Sequence, residues 1–354
     1  MDFASDNASG ASDKVMAALV EANRGFAPAY GADAATKEAE ARISGLFERE
    51  CAVFLLATGT ASNALALASV TPPWGAIFCH QDAHVMDDEC GAPEFFSAGA
   101  KLVALGGADG KIDPQSFEAA RDAYPRGLVK QVQPAALTIS QATESGTLYG
   151  IDEIAALAAR AHDADLAVHM DGARFANAIA SLGCTPAQMT WRAGVDVLSL
   201  GASKNGTFAC EAVVFFDPAR AHDFVYRRKR AGHTLSKGRF LAAQMNAWLG
   251  GDHWLHLARH ANACAAQLEA GLRAAGARIV WPRDVNEVFA IIPRAADQAL
   301  KEAGARYYEW PARALAHAQR PRDGEVFVRL VCSFATKQAD VTRFVAICAR
   351  SIKG

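Results

Sequence analysis

"IDEIAALAARAHDADLAVHMDGAR" runs from Ile151 to Arg174, and its reading decides the architecture. Over residues 151–165 apolar side chains recur at helical spacing. Over 166–171 the pattern changes to a short apolar run that ends on an acid. A helix that feeds directly into a buried strand is the crossover of a parallel sheet.

The same texture extends to both sides. "AVFLLA" (52–57), "AIFCH" (76–80), "KLVAL" (101–105) and "AALTIS" (135–140) precede the crossover, and "VLSL" (197–200) and "EAVVFF" (211–216) follow it. Several of these runs are nearly continuous in apolar residues, as strands covered on both faces are. The pattern predicts an α/β domain with a mostly parallel sheet, whose ligands bind beyond the carboxyl ends of the strands. Upstream, residues 1–45 are polar and then carry helical patterns in "KVMAALVEAN" and "ATKEAEARISGLF". Downstream, a helical pattern spans 239–276. Short strands follow at 277–281, 287–293 and 325–334. The expected organisation is an N-terminal segment (1–45), a large domain (46–250) and a smaller α+β domain (251–354).

Hydrophobic residues make up 51% of the 354, ample for a large core. With 36 basic and 38 acidic residues the formal charge is −2, which gives no general pull toward nucleic acid or membrane surfaces. The beginning, "MDFASDNASGASDK", lacks a basic region followed by an apolar run, and no apolar segment approaches the roughly 20 residues of a membrane span. The eight cysteines form no C-x-x-C pair, so reduced thiols in a cytoplasmic protein are expected.

Lys204 lies in "VDVLSLGASKNGTFACEAVVFF" (195–216), between two runs that read as buried. A lysine held there loses hydration and tends to lose its proton, which makes it a nucleophile. The plain alternative is a turn lysine with its ammonium in water. Asp171 closes the strand "LAVHMD", and its plain alternatives are a helix cap or a salt bridge with Arg174. A lysine and an acid on neighbouring strand ends are together what pyridoxal phosphate chemistry requires. The acid keeps the pyridine nitrogen protonated and the lysine holds the cofactor as a Schiff base. "ATGTASNALALASV" (57–70) passes from strand through a small-residue turn into a helix, a ready cradle for a phosphate at Gly59 and Thr60. His84, after the strand "AIFCH", is placed to stack on a flat ring and to exchange protons near neutral pH.

Together with "SDNASG" (5–10), "YGAD" (30–33), "DAHVMDDECGAPEFF" (82–96), "HMDGARFANA" (169–178), "SLGASKNG" (199–206) and "VRLVCSF" (328–334), these residues resemble the threonine aldolase family. Its members are fold type I pyridoxal phosphate enzymes of the β-eliminating lyase superfamily. The resemblance is closest to the low-specificity L-threonine aldolase and phenylserine aldolase branch. It implies a transferase-like large domain with a mostly parallel seven-stranded sheet, and retro-aldol cleavage of L-β-hydroxy-α-amino acids to glycine and an aldehyde. It implies that Lys204 carries the cofactor, Asp171 pairs with the pyridine nitrogen, His84 stacks on the ring and Arg174 contacts the cofactor or the substrate carboxylate. Ser5 and Arg329 match the positions that hold that carboxylate. Tyr30 and Lys229 match residues reaching a neighbouring subunit's site, so a homodimer or homotetramer with shared sites is implied. Where many relatives carry a second histidine toward the substrate hydroxyl, "SQATESGTLYG" (140–150) places Glu144. Glu144, His84 and an ordered water are the alternatives for the base.

β-Elimination or transamination of another small L-amino acid would use the same cofactor residues. A nicotinamide-dependent oxidoreductase would need a G-x-G-x-x-G after an early strand, and none is present. A non-catalytic binding module predicts loss of Lys204 or Asp171, and both are present. The basic run "YRRKRAGHTLSKGR" (226–239) is isolated in a near-neutral chain and reads poorly as a nucleic-acid patch. The histidines of "HWLHLARH" (253–260) lack an accompanying glutamate, so no metal site is expected and a polar helix face is the reading.

Overall fold

The computed structural model describes residues 1–312, 315 and 317–353. The apolar runs form a seven-stranded sheet of β1 (Ala52–Leu56), β2 (Gly75–His80), β3 (Lys101–Leu105), β4 (Gln133–Ser140), β5 (Ala167–Gly172), β6 (Val197–Gly201) and β7 (Glu211–Phe215). The spatial order is β1-β7-β6-β5-β4-β2-β3. β7 is antiparallel to both neighbours and every other pairing is parallel, so the sheet is mostly parallel, as the sequence predicts. Every residue of β2, β5, β6 and β7 is buried, which is why these strands read as continuous apolar runs.

The crossover helix spans Ile151–His162 and buries Ile154, Leu157, Ala158 and Ala161, one stripe at spacing i, i+3, i+4, i+7. Glu153 Oε2 accepts from the Gly150 N–H at 2.6 Å and closes the first turn. The strand it feeds delivers Asp171 to the edge of the sheet where β1 and β6 also end. The reversed β7 begins at that same edge, with Glu211 paired to both Leu56 and Gly201.

A second sheet consists of β8 (Arg278–Ile279), β9 (Glu287–Pro293), β10 (Tyr308–Glu309) and β11 (Glu325–Val331), in the order β10-β11-β9-β8 and antiparallel throughout. Helices His253–Ala275 and Gln338–Lys353 cover it, with Leu268, Leu272, Val288, Ala290 and Phe344 in the core. Phe3 belongs to this core too, 5.1 Å from the Phe344 ring, and Val331 N donates to Phe3 O. The first residues of the chain are therefore anchored in the second sheet before they cross toward the large one.

Two details depart from the sequence reading. The helical pattern over 239–276 is two helices, Arg239–Leu249 and His253–Ala275. Between them Gly251 and Asp252 take left-handed backbone, φ 62° and 54°, which the Gly250–Gly251 pair makes accessible. β10 was not foreseen, because two residues carry no readable periodicity.

Candidate active site

A cavity of about 410 Å³ opens at the strand-end edge of the large sheet, within the range of about 300–1,000 Å³ usual for small-molecule sites. Lys204, Asp171, His84, Glu144, Gly59 and Thr60 all line it, joined by Asn7, Asn63, Glu89, Ser203 and Glu211. Residues as far apart in sequence as 7 and 211 meet here because β1, β5 and β6 all end, and β7 begins, at this one edge of the sheet.

Asp171 is buried at the end of β5. Its Oδ1 accepts from Ala173 N at 3.0 Å and its Oδ2 from Asn63 Nδ2 at 2.9 Å. Arg174 is not its partner. Each carboxylate oxygen keeps a free lone pair for a donor in the cavity. Two residues earlier on the same face lies His169, whose ring nitrogens reach Thr138 Oγ1 at 2.7 Å and Ser199 Oγ at 2.9 Å. Burial depresses its pKa to about 4, so it stands neutral behind Asp171.

Asn63 Nδ2 also donates to Glu89 Oε1 at 2.8 Å, and the same oxygen accepts from His84 Nδ1 at 2.8 Å. The chain His84–Glu89–Asn63–Asp171 thus ties the ring over the cavity to the acid at its floor. The Glu89 hydrogen bond raises the His84 pKa above the ordinary imidazole value, with nearby Glu144 and Asp171 adding to it against burial. Burial raises the pKa of Glu89 itself. Neither Asn63, Glu89 nor His169 stood out in the sequence. His169 had one legible signal, its strand period of two from Asp171.

Lys204 sits in the short helical turn Ser203–Asn205 that follows β6. Among the described residues its ammonium makes no hydrogen bond or ion pair, although its charge acts on Asp6, Glu144 and Glu211. Opposite it begins the helix Gly59–Val70, whose N-cap Thr58 Oγ1 accepts from Ala61 N at 3.3 Å. The N–H groups of Gly59 and Thr60 lie in the first turn, where no helical acceptor exists. A Cβ added at Gly59 would meet nothing within 4 Å, so the space before this terminus is open. Glu144 follows β4, and burial raises its pKa while Lys204 and Arg174 oppose that rise.

The predicted carboxylate-binding residues form a separate cluster. Arg174 is buried, with Nε 2.8 Å from Asp6 Oδ2 and Nη1 3.2 Å from Glu287 Oε2. Arg329 donates from Nε and Nη2 to Glu287 Oε1 at 3.0 and 2.8 Å. Asn286 Nδ2 adds a bond to Asp6 at 3.1 Å. Ser5 Oγ accepts from Asn7 N at 3.1 Å and caps the short turn that carries Asp6 to Arg174 and Asn7 to the cavity. Tyr30 and Lys229 are brought together with each other, Nζ lying 4.7 Å from the ring centroid, but neither lines this protomer's cavity. His260 Nε2 donates to Thr336 O at 2.8 Å, a structural bond on the helix face.

The cavity's chemistry fits pyridoxal phosphate. A lysine without a direct partner, an acid with spare acceptor capacity, an imidazole and an open helix N-terminus surround one space of adequate size. On its lining residues, Asn63 Oδ1 and Glu89 Oε2 are buried with no protein partner.

Comparison with known proteins agrees with this geometry. The family model for beta-eliminating lyases matches residues 2–295. Low specificity L-threonine aldolase of Pseudomonas aeruginosa is 44% identical over 336 residues, 94% of this chain and 93% of that protein. The enzyme of the same name from Saccharomyces cerevisiae is 26% identical over 81% of this chain and 73% of its own length. A solved threonine aldolase structure from Leishmania major superposes with a TM-score of 0.91 at 28% identity, covering 99% of each chain. Serine palmitoyltransferase of Sphingomonas wittichii shares the fold, with a TM-score of 0.73 at 15% identity over all of this chain and 87% of its own. A family match across most of the sequence, with a relative of such identity along nearly its whole length, establishes that this chain belongs to the beta-eliminating lyase family.

Proposed function

We propose that the protein is a pyridoxal phosphate-dependent aldehyde-lyase that cleaves L-β-hydroxy-α-amino acids, such as L-threonine, L-allo-threonine or L-phenylserine, to glycine and an aldehyde. The observation that carries this reading is the convergence of Lys204, Asp171 and His84 on one cavity beside an open helix N-terminus. When bound, the cofactor supplies an electron sink for the charge left at Cα once the Cα–Cβ bond breaks. Lys204 is the residue to hold it covalently, Asp171 to accept from its pyridine N–H, His84 to cover its flat face, and Gly59 and Thr60 to bind its phosphate.

Arg329, Arg174 and Ser5 are the residues for the substrate carboxylate. By fixing that group they set the rotation about Cα, and so which bond is aligned for cleavage. Both arginines are already engaged by Asp6 and Glu287, so the incoming carboxylate competes for, or adds to, existing pairs. Glu144 and His84 are the groups that take the proton of the β-hydroxyl. Glu144, desolvated and with no hydrogen bond to its carboxylate among the described residues, is the stronger base candidate in its ionised form. Tyr30 and Lys229 complete a neighbouring subunit's site in a homodimer or homotetramer. This is in keeping with their place away from the cavity of their own protomer. No helix among the described residues is long and apolar enough to cross a membrane. All eight cysteines are free, as a cytoplasmic protein's are.

The purified protein is expected to show the visible absorbance of a lysine-linked cofactor and to release glycine and aldehyde from L-threonine or L-phenylserine. A colourless protein that takes up no cofactor would refute the reading. Pyruvate from L-serine, without glycine from either hydroxy amino acid, would mark a β-eliminating lyase instead.

A further inference from the structure

One buried acid in the cavity has no part in the mechanism above. Glu211 is the first residue of β7, wedged between the ends of β1 and β6 by its pairing with Leu56 and Gly201. Its Oε2 accepts from Ala202 N at 2.8 Å, and both the backbone and the side chain of Ser203 also hydrogen-bond to it. These donors belong to the turn that presents Lys204. The loop joining Lys204 to Glu211 is held from outside by Gln244, whose Oε1 accepts from Phe208 N at 2.8 Å and Ala209 N at 3.0 Å. Glu211 is therefore locked in place, and it locks the turn in return.

Its other face meets the cavity that Gly59 and Thr60 also line. β1, its partner on one side, runs through Ala57 and Thr58 straight into that helix N-terminus. A carboxylate in the same desolvated space as a dianion raises the free energy of the complex, and one proton taken up from solvent relieves it.

We infer that Glu211 is a positioning residue for the Lys204 turn, and that it takes up a proton when a phosphate-bearing ligand occupies the cradle of Gly59 and Thr60. This rests on the cofactor reading above. Burial raises the Glu211 pKa to about 7 against its hydrogen bonds from Ser203 and Ala202 and the charge of Lys204, so the proton exchanges in the ordinary working range. The charged and titratable groups around it are Lys204 on the turn, Cys210 beside it on the chain, Asp171, His84, Glu89 and Glu144 across the cavity, and Arg228, which reaches Leu55 O on β1. The pKa of Cys210 is raised well above the ordinary thiol value, so it stays protonated.

The test compares wild type with Glu211→Gln, which keeps the acceptor for Ala202 N–H but carries no charge. The full-length protein is freed of cofactor, and pyridoxamine 5′-phosphate and pyridoxamine are titrated by tryptophan fluorescence at pH 6.0 and 8.5. For the phosphorylated probe, the ratio of the wild-type to the variant dissociation constant is expected to rise at least threefold from the lower to the higher pH. For pyridoxamine the ratio stays flat. A flat ratio for both probes would overturn the proton linkage with the cofactor reading intact. No saturable binding of pyridoxamine 5′-phosphate to wild type would sink the cofactor reading and this inference together. Should Glu211→Gln fold poorly, Glu211→Ala takes its place in the same comparison: a wild-type-to-variant ratio that rises with pH for the phosphorylated probe alone supports the assignment, and a flat ratio opposes it.

Discussion

Two polar clusters meet at the end of the large sheet, and they are built to opposite rules. In the first, Arg174 and Arg329 face Asp6 and Glu287, two cations against two anions, all buried or nearly so and joined by direct ion pairs. Each charge has its desolvation offset by a neighbour, as buried ions require. In the second, only a few ångströms of chain away through Asn7, Lys204 and Glu144 line the cavity without a side-chain hydrogen bond to any described residue, and Glu89 and Asn63 each keep a buried oxygen without a partner among the described residues. The first cluster answers each charge with an opposite one inside the protein, although Asn286 Oδ1 and Glu287 Oε2 are also buried there without a hydrogen bond among the described residues. The second turns its lysine and glutamate toward an open cavity, where a ligand has room to supply the partners.

If the contrast holds, mutations in the two clusters fail in different ways. The largest effect is expected at Lys204→Ala, a loss of about 10⁴-fold or more in turnover together with the visible absorbance, while the thermal midpoint of the protein freed of cofactor stays close to wild type. Glu287→Ala is expected to act on the fold, lowering unfolding free energy by about 3–5 kcal/mol in urea titrations because two buried guanidinium groups lose their partner. A destabilisation under 1 kcal/mol would show that the cluster is not the balanced unit described. Arg329→Lys keeps the charge but loses the planar fork that fixes the carboxylate, so KM for L-threonine is expected to rise about tenfold and kcat to fall as the alignment loosens.

The smallest effect is a shift along the pH axis. Glu89 holds the His84 pKa up through the Nδ1 hydrogen bond. In Glu89→Gln that support weakens and burial pulls the pKa down. If neutral His84 is the active form, the rising limb of the pH–kcat profile moves to lower pH. A shift to higher pH would mean that His84 acts as the imidazolium.

Much of this was legible in the sequence, for reasons that the residues make plain. All seven strands of the large sheet lie on the apolar runs, and the four buried at every residue, β2, β5, β6 and β7, are apolar almost throughout because both faces are covered. Position at or just past the end of such a run singles out Lys204, Asp171, His84, Gly59 and Thr60, the family resemblance adds Glu144, and the cavity holds all six. The partners that tune them were not legible. Asn63 and His169 read as ordinary members of a helix and a strand, Glu89 as one acid in "DDEC", and Glu211 as the polar start of a strand. Their importance comes from meeting residues remote in sequence, as Asn63 meets Asp171, 108 positions away.

The sequence by itself determined the layered α/β plan, the strand ends and the reactive side chains delivered there, because burial periodicity and turn chemistry are local properties of the chain. Only the tertiary structure decided which acid faces which base. It tied Arg174 to Asp6 and Glu287 and left Asp171 to Asn63. It also set Glu211 beneath the Lys204 turn by running β7 backwards between β1 and β6. Charge pairing in a desolvated site depends on distances of a few ångströms between remote segments, and those distances exist only once the sheet has formed.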